Sequence, residues 1–319
     1  MLYLNLEQTV TALPWHELIE ALERGFKQGC DAPARHQHQF KISGEQDGSL
    51  LLMPAWISGS FIGVKQVLVV PENGTRGLPA VNASYQLSCA KTGQLLAIMD
   101  GEALTHRRTA AASALASRFL SRPDSEHLLM VGTGGMARSL IPAHCSQRPI
   151  KSISIWGRNF DKSKKLADEI THMGYPVQAV RDLASSAANA DIISCATLAH
   201  KPLIKAEWLA PGTHIDLVGS FTPSMREADS ATMSTSSVFV DTYAGALEEA
   251  GDLLIAIEEE VFMAKDICAS LEELCRHQHQ GRVTDTEITV FKSVGTALED
   301  LMAAILVYQS SAKSCIPYD

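Results

Sequence analysis

The sequence has few basic residues and no long apolar run, and each absence excludes a class of partner. Lys and Arg total 27 against 36 Asp and Glu, for a formal net charge of −9. The sequence contains no block of basic residues that could bind a phosphate backbone and release its counterions. We therefore expect neither a nucleic-acid partner nor binding to an anionic membrane surface. No apolar stretch reaches the ~18–20 residues that span a bilayer. Residues 6–25 have the pattern of an amphipathic helix, not of a signal peptide.

Paired cysteine and metal-ligand motifs are also missing. The seven cysteines stand alone, without CxxC spacing, at positions 30, 89, 145, 195, 268, 275 and 315. Isolated cysteines are typical of reduced thiols, so we expect a cytoplasmic protein. In the two HxH pairs, His36/His38 and His277/His279, both rings face one side only if the segment is a strand, and surface histidines are more common than metal ligands. We therefore predict no metal site.

What the sequence does contain is a glycine turn at residues 128–143, LLMVGTGGMARSLIPA. A short apolar run meets Gly132, Gly134 and Gly135, and helix-forming residues follow. Gly132 permits a sharp turn, Gly134 leaves room for a pyrophosphate, and the small Ala137 lets the helix pack on the strand. The helix N-terminus would then offer N–H groups to phosphate. A glycine turn that binds no ligand is the alternative.

The pattern around this turn predicts two domains of different architecture. From residue 127 onward, short apolar strands alternate with helices, which indicates a doubly wound parallel sheet. Its predicted strands are 128–131, 152–156, 177–180, 192–196, 214–218 and 238–241. Before the turn, glycine-punctuated apolar runs predict an antiparallel meander, in which Pro54 ends one strand. Residues 103–120, 161–173, 244–251 and 261–280 are predicted to be helical, and residues 287–309 a short strand and a long final helix.

We accordingly predict an α/β fold, in which an α+β domain is followed by a doubly wound Rossmann domain. A chain of 319 residues with 46% hydrophobic residues can bury a core in each.

The end of the second Rossmann strand indicates which dinucleotide is bound. NAD enzymes usually place a carboxylate there for the ribose 2′-hydroxyl. This chain instead has Arg158 and Asn159, with Lys162 close behind. A guanidinium can bind a 2′-phosphate through two hydrogen bonds, so the sequence predicts NADPH rather than NADH. Solvated charges at a helix cap are the alternative.

Three cations of the first domain are candidates for binding a carboxylate. Lys65 interrupts an apolar strand, Arg108 heads an alanine-rich helix, and Arg35 lies in a polar segment. A buried ammonium is costly without a partner, and guanidinium groups bind carboxylates through paired hydrogen bonds. Structural salt bridges are the alternative for all three.

Five motifs together resemble the ornithine cyclodeaminase/mu-crystallin family over nearly the whole chain. They are GVK at 63–65, LTHRRTAA at 104–111, the glycine turn, VGSFTPSMREAD at 218–229 and FKSVGTALED at 291–300. The resemblance implies that residues 1–121 with 297–319 form a substrate-binding and dimerisation domain, and that residues 122–296 form an NADP-binding Rossmann domain. It implies a homodimer in which Arg35, Lys65 and Arg108 hold a substrate carboxylate beside the nicotinamide of NADP(H). It also implies that the cofactor contacts are Ala80, Arg108, Gly132, Gly134, Gly135, Met136, Arg158, Asn159, Lys162, Thr197, Val218, Ser220, Ser293 and Val294.

Departures from the family pattern narrow the activity. Cyclodeaminases carry an aspartate in the stretch where this chain has Phe221, and a glutamate where it has Leu51 or Leu52 before Met53. Without these carboxylates, a carboxylate substrate with an uncharged cyclic body is favoured over one with an extended ammonium chain. The GSFTP sequence at 219–223 is similar to that of the Δ1-pyrroline-2-carboxylate/Δ1-piperideine-2-carboxylate reductases. The implied reaction is NADPH-dependent reduction of a cyclic imino acid, with Phe221 in the substrate site.

Several roles stay open at this point. Lys65 could bind the carboxylate or supply the imine proton; charge repulsion between an ammonium and an iminium favours the carboxylate. Asp216 could offset that positive charge or form an internal hydrogen bond. An ornithine cyclodeaminase, an alanine dehydrogenase and a mu-crystallin-like NADPH carrier with little turnover are the competing functions.

Overall fold

The computed structural model describes residues 1–314. The chain forms two compact units, one from Met1–Arg108 with the chain from Thr296 onward, the other from Thr109–Gly295. The first division lies inside the helix Gly101–Leu120, whereas the boundary predicted from the sequence follows that helix. The backbone hydrogen bonds run through this helix without a break, so its sequence carries no local signal of a domain boundary.

The described residues form fourteen β-strands and eleven α-helices. The strands are β1 (Leu2–Leu4), β2 (His36–Phe40), β3 (Gly48–Ile57), β4 (Phe61–Val69), β5 (Val81–Cys89), β6 (Leu95–Asp100), β7 (His127–Val131), β8 (Ser152–Trp156), β9 (Val177–Ala179), β10 (Ile192–Cys195), β11 (His214–Leu217), β12 (Ser237–Val240), β13 (Ile267–Ser270) and β14 (Thr289–Lys292). The helices are α1 (Leu6–Thr11), α2 (Trp15–Gln28), α3 (Gly101–Leu120), α4 (Gly135–Cys145), α5 (Phe160–His172), α6 (Leu183–Ala188), α7 (Ser230–Thr235), α8 (Tyr243–Glu249), α9 (Gly251–Glu258), α10 (Leu271–Cys275) and α11 (Ala297–Ser314). Among these residues, no helix combines the length and apolar character that crossing a bilayer requires.

The first unit contains a six-stranded sheet in the order β1-β6-β5-β4-β3-β2. Strands β2 to β6 are antiparallel neighbours, as the meander predicted, and β1 joins β6 in parallel. Pro54 does not end its strand, because β3 continues to Ile57. Pairing with β2 extends only to Leu52, so at Pro54 that side of β3 lacks a partner strand and the missing N–H costs no ladder bond.

The helices of the first unit also differ from the prediction at one point. Residues 6–25 form two helices instead of one, because the chain breaks before α2, whose N-cap is Pro14. Helix α2 buries Leu18, Leu22 and Phe26. It packs against α11, where a Cβ on Gly25 would overlap Met302.

The second unit contains an eight-stranded parallel sheet in the order β13-β12-β14-β11-β10-β7-β8-β9. The predicted doubly wound α/β sheet is confirmed. Strand β7 leads to β8 and β9 on one side, whereas β10 and β11 lie on the other. The strand order therefore reverses between β7 and β10, which is where such sheets bind their ligands. The central strands bury apolar residues on both faces, as the consecutive Leu128 and Leu129 of β7 show.

The helix predicted over residues 261–280 is wrong. Residues 267–270 instead form β13, the edge strand that pairs with β12, and α10 is only five residues long. The pairing partner is distant in sequence, so a short apolar run carried no periodic signal for it. A helix start at Ser270 was visible in the sequence, because Ser270 and Glu273 form a capping box.

Candidate functional site

The glycine turn between β7 and α4 has the geometry that a dinucleotide requires. Gly132 has a φ of 125°, and a Cβ there would lie 2.6 Å from the carbonyl oxygen of Ala196. The Cβ position of Gly134 faces open space, and no side chain caps α4. The N–H groups at the start of this 11-residue helix thus meet an open, side-chain-free cradle that fits a pyrophosphate. Met136 is half-buried in the same turn.

The end of β8 presents the cations that the sequence predicted. Arg158 and Lys162 are exposed, and Asn159 caps α5 by accepting a hydrogen bond from the Lys162 N–H at 3.1 Å. A third cation, Arg181, was missed: its guanidinium carbon lies 3.6 Å from the ring centroid of Phe160. Its position just after β9, the neighbour of β8, is the signal that could have identified it.

Glycine at position 157 is a further feature that sequence reasoning missed. A Cβ there would lie 2.7 Å from Thr133 Cγ2 and 3.0 Å from Ser163 Oγ. The end of β8 therefore lies directly against the glycine turn, and the exposed cations follow in the next residues.

The loops after β10 and β11 carry Thr197, Val218 and Ser220, and a buried carboxylate joins them. Glu227 accepts hydrogen bonds from the Thr197 N–H and hydroxyl at 2.6 and 2.8 Å. It also accepts one from the Gly219 N–H at 2.7 Å. Glu227 is completely buried, and burial raises its pKa to about 7. Glu227 belongs to the motif at 218–229, but nothing in the spacing of that motif indicated that Glu227 would join two loops.

The turn after β14, which contains Ser293 and Val294, is held in the same way. Asp241 follows β12 and accepts hydrogen bonds from the Val294 N–H at 2.8 Å and the Gly295 N–H at 2.6 Å. Burial raises the pKa of Asp241, although these hydrogen bonds favour its charged form. The predicted cofactor residues of the second unit therefore lie in loops at the carboxyl ends of parallel strands or in the first turn of the helix that follows. Their contact with a cofactor stays a prediction.

In the first unit, Lys65 and Arg108 converge on one pair of acidic residues. Lys65 Nζ lies 2.7 Å from Asp300 Oδ2. Arg108 donates from Nε to Asp300 at 2.9 Å and from Nη1 to Glu299 at 2.6 Å. Lys65 and Arg108 are only 3% and 5% exposed. The structure thus brings these two predicted residues together, with the salt bridges that the sequence had left as the alternative.

Burial and charge act in opposite directions on the two cations. Burial lowers the pKa of Lys65, Asp300 opposes that effect, and the neighbouring Arg108 lowers the pKa further. Burial also disfavours the charged form of Arg108, but Asp300 and Glu299 outweigh it and raise its pKa. Arg108 therefore stays charged, whereas Lys65 is a stronger acid than an exposed lysine.

The other predicted residues lie outside this cluster or in the second unit. Arg35 is exposed immediately before β2, and Ala80 is exposed before β5. Phe221 is 46% exposed in the loop after β11. The substrate roles of Arg35 and Phe221, and the cofactor contacts of Ala80 and Arg108, stay predictions.

Asp216 has the internal hydrogen bonds that were one of its two alternatives. The Ser194 hydroxyl donates to Asp216 Oδ2 at 2.7 Å, and His144 Nε2 lies 3.1 Å from the same oxygen. The charge of Lys65 is offset by Asp300 instead. Within residues 1–314, no group of three or more His, Cys, Asp or Glu side chains is arranged to hold a metal ion.

Comparisons with known proteins find relatives of similar sequence and structure. The model of the ornithine cyclodeaminase/mu-crystallin family matches residues 3–314. A Δ1-pyrroline-2-carboxylate reductase of Colwellia psychrerythraea is 37% identical, covering 98% of this chain and 100% of its own.

Two solved structures have the same fold. The Thermococcus litoralis Δ1-pyrroline-2-carboxylate reductase, in complex with NADH and L-proline, superposes with a TM-score of 0.91 at 34% identity over 100% of both chains. An archaeal alanine dehydrogenase dimer with bound NAD has a TM-score of 0.89 at 27% identity, over 99% of this chain and 97% of its own. The residues of the glycine turn and of the loops around it fit such a nicotinamide nucleotide.

Proposed function

Because this chain belongs to the ornithine cyclodeaminase/mu-crystallin family, we propose that it reduces cyclic ketimine carboxylates with NADPH. The expected reactions convert Δ1-pyrroline-2-carboxylate to L-proline and Δ1-piperideine-2-carboxylate to L-pipecolate. The chain is an oxidoreductase of C=N and CH–NH bonds, as its relatives are. The observation that carries the substrate proposal is the buried pair of cations, Lys65 and Arg108, held by Asp300 and Glu299.

Each unit supplies a different part of this chemistry. In the second unit, the N–H groups after Gly134 would hold the pyrophosphate, and Thr197, Ser220 and Val294 would line the rest of the nucleotide. The bound nicotinamide supplies a hydride for the carbon of the C=N bond. In the first unit, Arg108 and Lys65 bind the anionic imine and provide its proton.

Arg108 is suited to the substrate carboxylate because its fixed fork has donors to spare. Its contacts among the described residues use Nε and Nη1, and Nη2 makes no hydrogen bond to them. Asp300 and Glu299 fix the plane of the guanidinium, so the direction of Nη2 is set before a substrate binds. A fixed donor loses little entropy on binding, which favours a small rigid ring carboxylate.

Lys65 is suited to protonate the imine nitrogen. A fixed ammonium would repel an iminium, but Lys65 forms a salt bridge with Asp300. The carboxylate of Asp300 offsets the positive charge of Lys65 and so weakens that repulsion. Its pKa is lowered by burial and by Arg108, which makes proton release easier. The imine carbon gains the hydride, its nitrogen gains the Lys65 proton, and solvent reprotonates the lysine.

The absence of two carboxylates favours this reaction over ornithine cyclisation. Leu51 and Leu52 lie half-buried in β3, and Phe221 follows β11. None of them could pair with the side-chain ammonium of a diamine, and a buried ammonium without a partner is costly.

A panel of substrates tests the proposal directly. NADPH absorbance would be followed with Δ1-pyrroline-2-carboxylate, Δ1-piperideine-2-carboxylate, pyruvate plus ammonia, and ornithine. We expect rapid oxidation only with the two cyclic imines. Turnover of ornithine or of pyruvate would favour the cyclodeaminase or the alanine dehydrogenase instead, and binding without turnover would indicate an NADPH carrier.

The choice of NADPH predicts the effect of replacing Arg158. Arg158→Ala removes a guanidinium from the exposed end of β8, so KM for NADPH should rise roughly tenfold to hundredfold. KM for NADH should change little, because NADH has no 2′-phosphate. Steady-state kinetics with both cofactors measure this, with Lys164→Ala, an exposed lysine of α5, as the matched control. A wild-type enzyme that strongly prefers NADH would contradict the cofactor assignment.

The proton role of Lys65 predicts a split between kcat and KM. Lys65→Arg keeps a cation beside Asp300 but raises the pKa of the donor, so kcat should fall about 100-fold while KM for the imine changes little. In the wild type, kcat should decrease as pH rises through the lowered pKa of Lys65. The exposed Lys41 provides a control, Lys41→Arg. A variant that raises KM at unchanged kcat would assign Lys65 to carboxylate binding alone.

A further inference from the structure

Two loops at the carboxyl edge of the parallel sheet are joined by a single carboxylate. Thr197 follows β10, Gly219 follows β11, and Glu227 receives three hydrogen bonds from them. Both oxygens of Glu227 are used, and its side chain is completely buried. Strand β10 lies between β11 and β7, and the glycine turn after β7 forms the rest of this edge.

The contact between the loops is close and partly strained. A Cβ on Gly219 would overlap both the Thr197 carbonyl oxygen and Glu227. From the other side, Lys292 Nζ donates to the carbonyl oxygens of Leu217 at 3.2 Å and Gly219 at 3.3 Å. The next residue, Ser220, has a φ of 30°, a conformation that only surrounding contacts can maintain. The backbone of Gly219 is thus held on both sides, because its N–H donates to the acidic Glu227 and its C=O accepts from the basic Lys292.

We propose that Glu227 is a positioning residue: as a carboxylate, it fixes the Thr197 loop and the Gly219–Ser220 turn in the arrangement that binds a nicotinamide nucleotide. This inference rests on the proposed function, since it assigns these loops to the cofactor. Glu227 has no exposed atom with which to touch the cofactor and acts through the two backbone N–H groups that it accepts from.

Opposing effects on the pKa of Glu227 bring its change of charge close to neutral pH. Burial raises its pKa to about 7; Lys292 of β14 opposes this effect and Asp252 of α9 adds to it. Cys195 of β10 faces the same groups, and burial keeps its thiol protonated. Asp216 of β11 is the remaining acidic group that interacts with Cys195. When Glu227 binds a proton, one oxygen becomes a donor and confronts an N–H group that it had accepted from.

A binding experiment with Glu227→Gln tests the inference without any imine. The amide resembles a protonated carboxyl, so the variant should bind NADH weakly at every pH. Wild-type Kd should rise roughly tenfold between pH 8 and pH 6, as the carboxylate fraction falls. NADH is the probe because it lacks the 2′-phosphate, which itself titrates near pH 6. For the variant, Kd for NADH should stay constant from pH 6 to pH 9 and should equal the wild-type Kd at pH 6. Calorimetry measures both proteins over this range.

Controls separate positioning from a general structural role. Glu207→Gln, an exposed glutamate of the same unit, should follow the wild-type profile. The folded state binds the Glu227 proton more tightly than the unfolded chain, so Glu227 makes stability fall as pH rises from about 4.5 to about 7. Glu227→Gln should therefore melt no lower than wild type at pH 8. A lowered melting temperature together with weak binding, or a variant profile equal to wild type, overturns the inference.

Failure of the proposed function would look different. A wild-type protein that binds no nicotinamide nucleotide at any pH would refute both ideas together. Tight, pH-dependent NADH binding without reduction of either cyclic imine would refute the substrate assignment and leave Glu227 as a positioning residue.

Discussion

Replacing Asp300 with asparagine is expected to lower the free energy of unfolding by about 3–5 kcal/mol, among the largest effects of any single substitution in this chain. Asp300 is completely buried and contacts both Lys65 and Arg108. Without its charge, two buried cations would face only Glu299, and neither could recover its lost hydration. Urea denaturation followed by circular dichroism measures the loss.

Controls for this prediction come from the same unit. Asp47→Asn removes a carboxylate whose partner, Lys41, is almost fully exposed, so it should change stability by less than about 1 kcal/mol. Adding Lys65→Met to Asp300→Asn restores one cation to one anion and should recover part of the loss. If the stability losses of the two single variants simply add in the double variant, the assignment of Asp300 as the shared counter-ion is contradicted.

The pH dependence of Asp300→Asn follows from the lowered pKa of Lys65. In the variant, Asp300 no longer opposes the effect of burial, so the pKa of Lys65 falls further below its unfolded value. Between those two values the unfolded chain binds more protons, and stability therefore rises with pH. The deficit of the variant should shrink as pH is raised from 7 towards 10, and a constant deficit would count against the mechanism.

The second large effect is expected from Arg108→Lys. The substitution keeps the positive charge but loses the planar fork, which makes two hydrogen bonds to Asp300 and Glu299 and leaves Nη2 for a substrate. An ammonium cannot fix the same direction, so kcat/KM for Δ1-pyrroline-2-carboxylate should fall about 100-fold or more. Steady-state kinetics at saturating NADPH measure this. Kd for NADPH should stay within about threefold of wild type if Arg108 acts on the substrate, whereas a larger rise would support the cofactor contact that the family resemblance implies for Arg108.

Arg118 offers a comparison for the same substitution. It lies on α3, half-buried, and donates to the side chain of Gln147 at 2.9 Å. Arg118→Lys should leave kcat/KM close to wild type. Equal losses in both variants would show that Arg108 contributes only to packing of its helix.

Residues 127–241 were the most predictable part of the fold. All six predicted strands of the Rossmann sheet agree with the structure to within one residue at each end. Their apolar runs are buried on both faces and separated by helices, so local pattern and tertiary environment agree. β13 was missed because its partner strand, not its own sequence, makes it a strand.

The candidate site was predictable in its residue types but not in its pairings. The need for a partner for Lys65 followed from its position in an apolar strand, whereas Asp300 lies more than 200 residues away in the sequence. Glu227 was likewise present in a recognised motif, but its three donors come from two other loops. Hydrogen bonds between distant segments leave no periodic trace in either one.

The sequence by itself determined the alternating α/β pattern, the glycine turn and the presence of Arg158 in place of a carboxylate at the end of β8, because each depends on neighbouring residues only. The tertiary structure alone decided that Lys65 and Arg108 share Asp300, that Glu227 is buried between two loops, and that α3 belongs to both units. The physical reason is that local sequence sets backbone conformation and turn geometry, whereas burial and charge pairing depend on which distant segments the fold brings together.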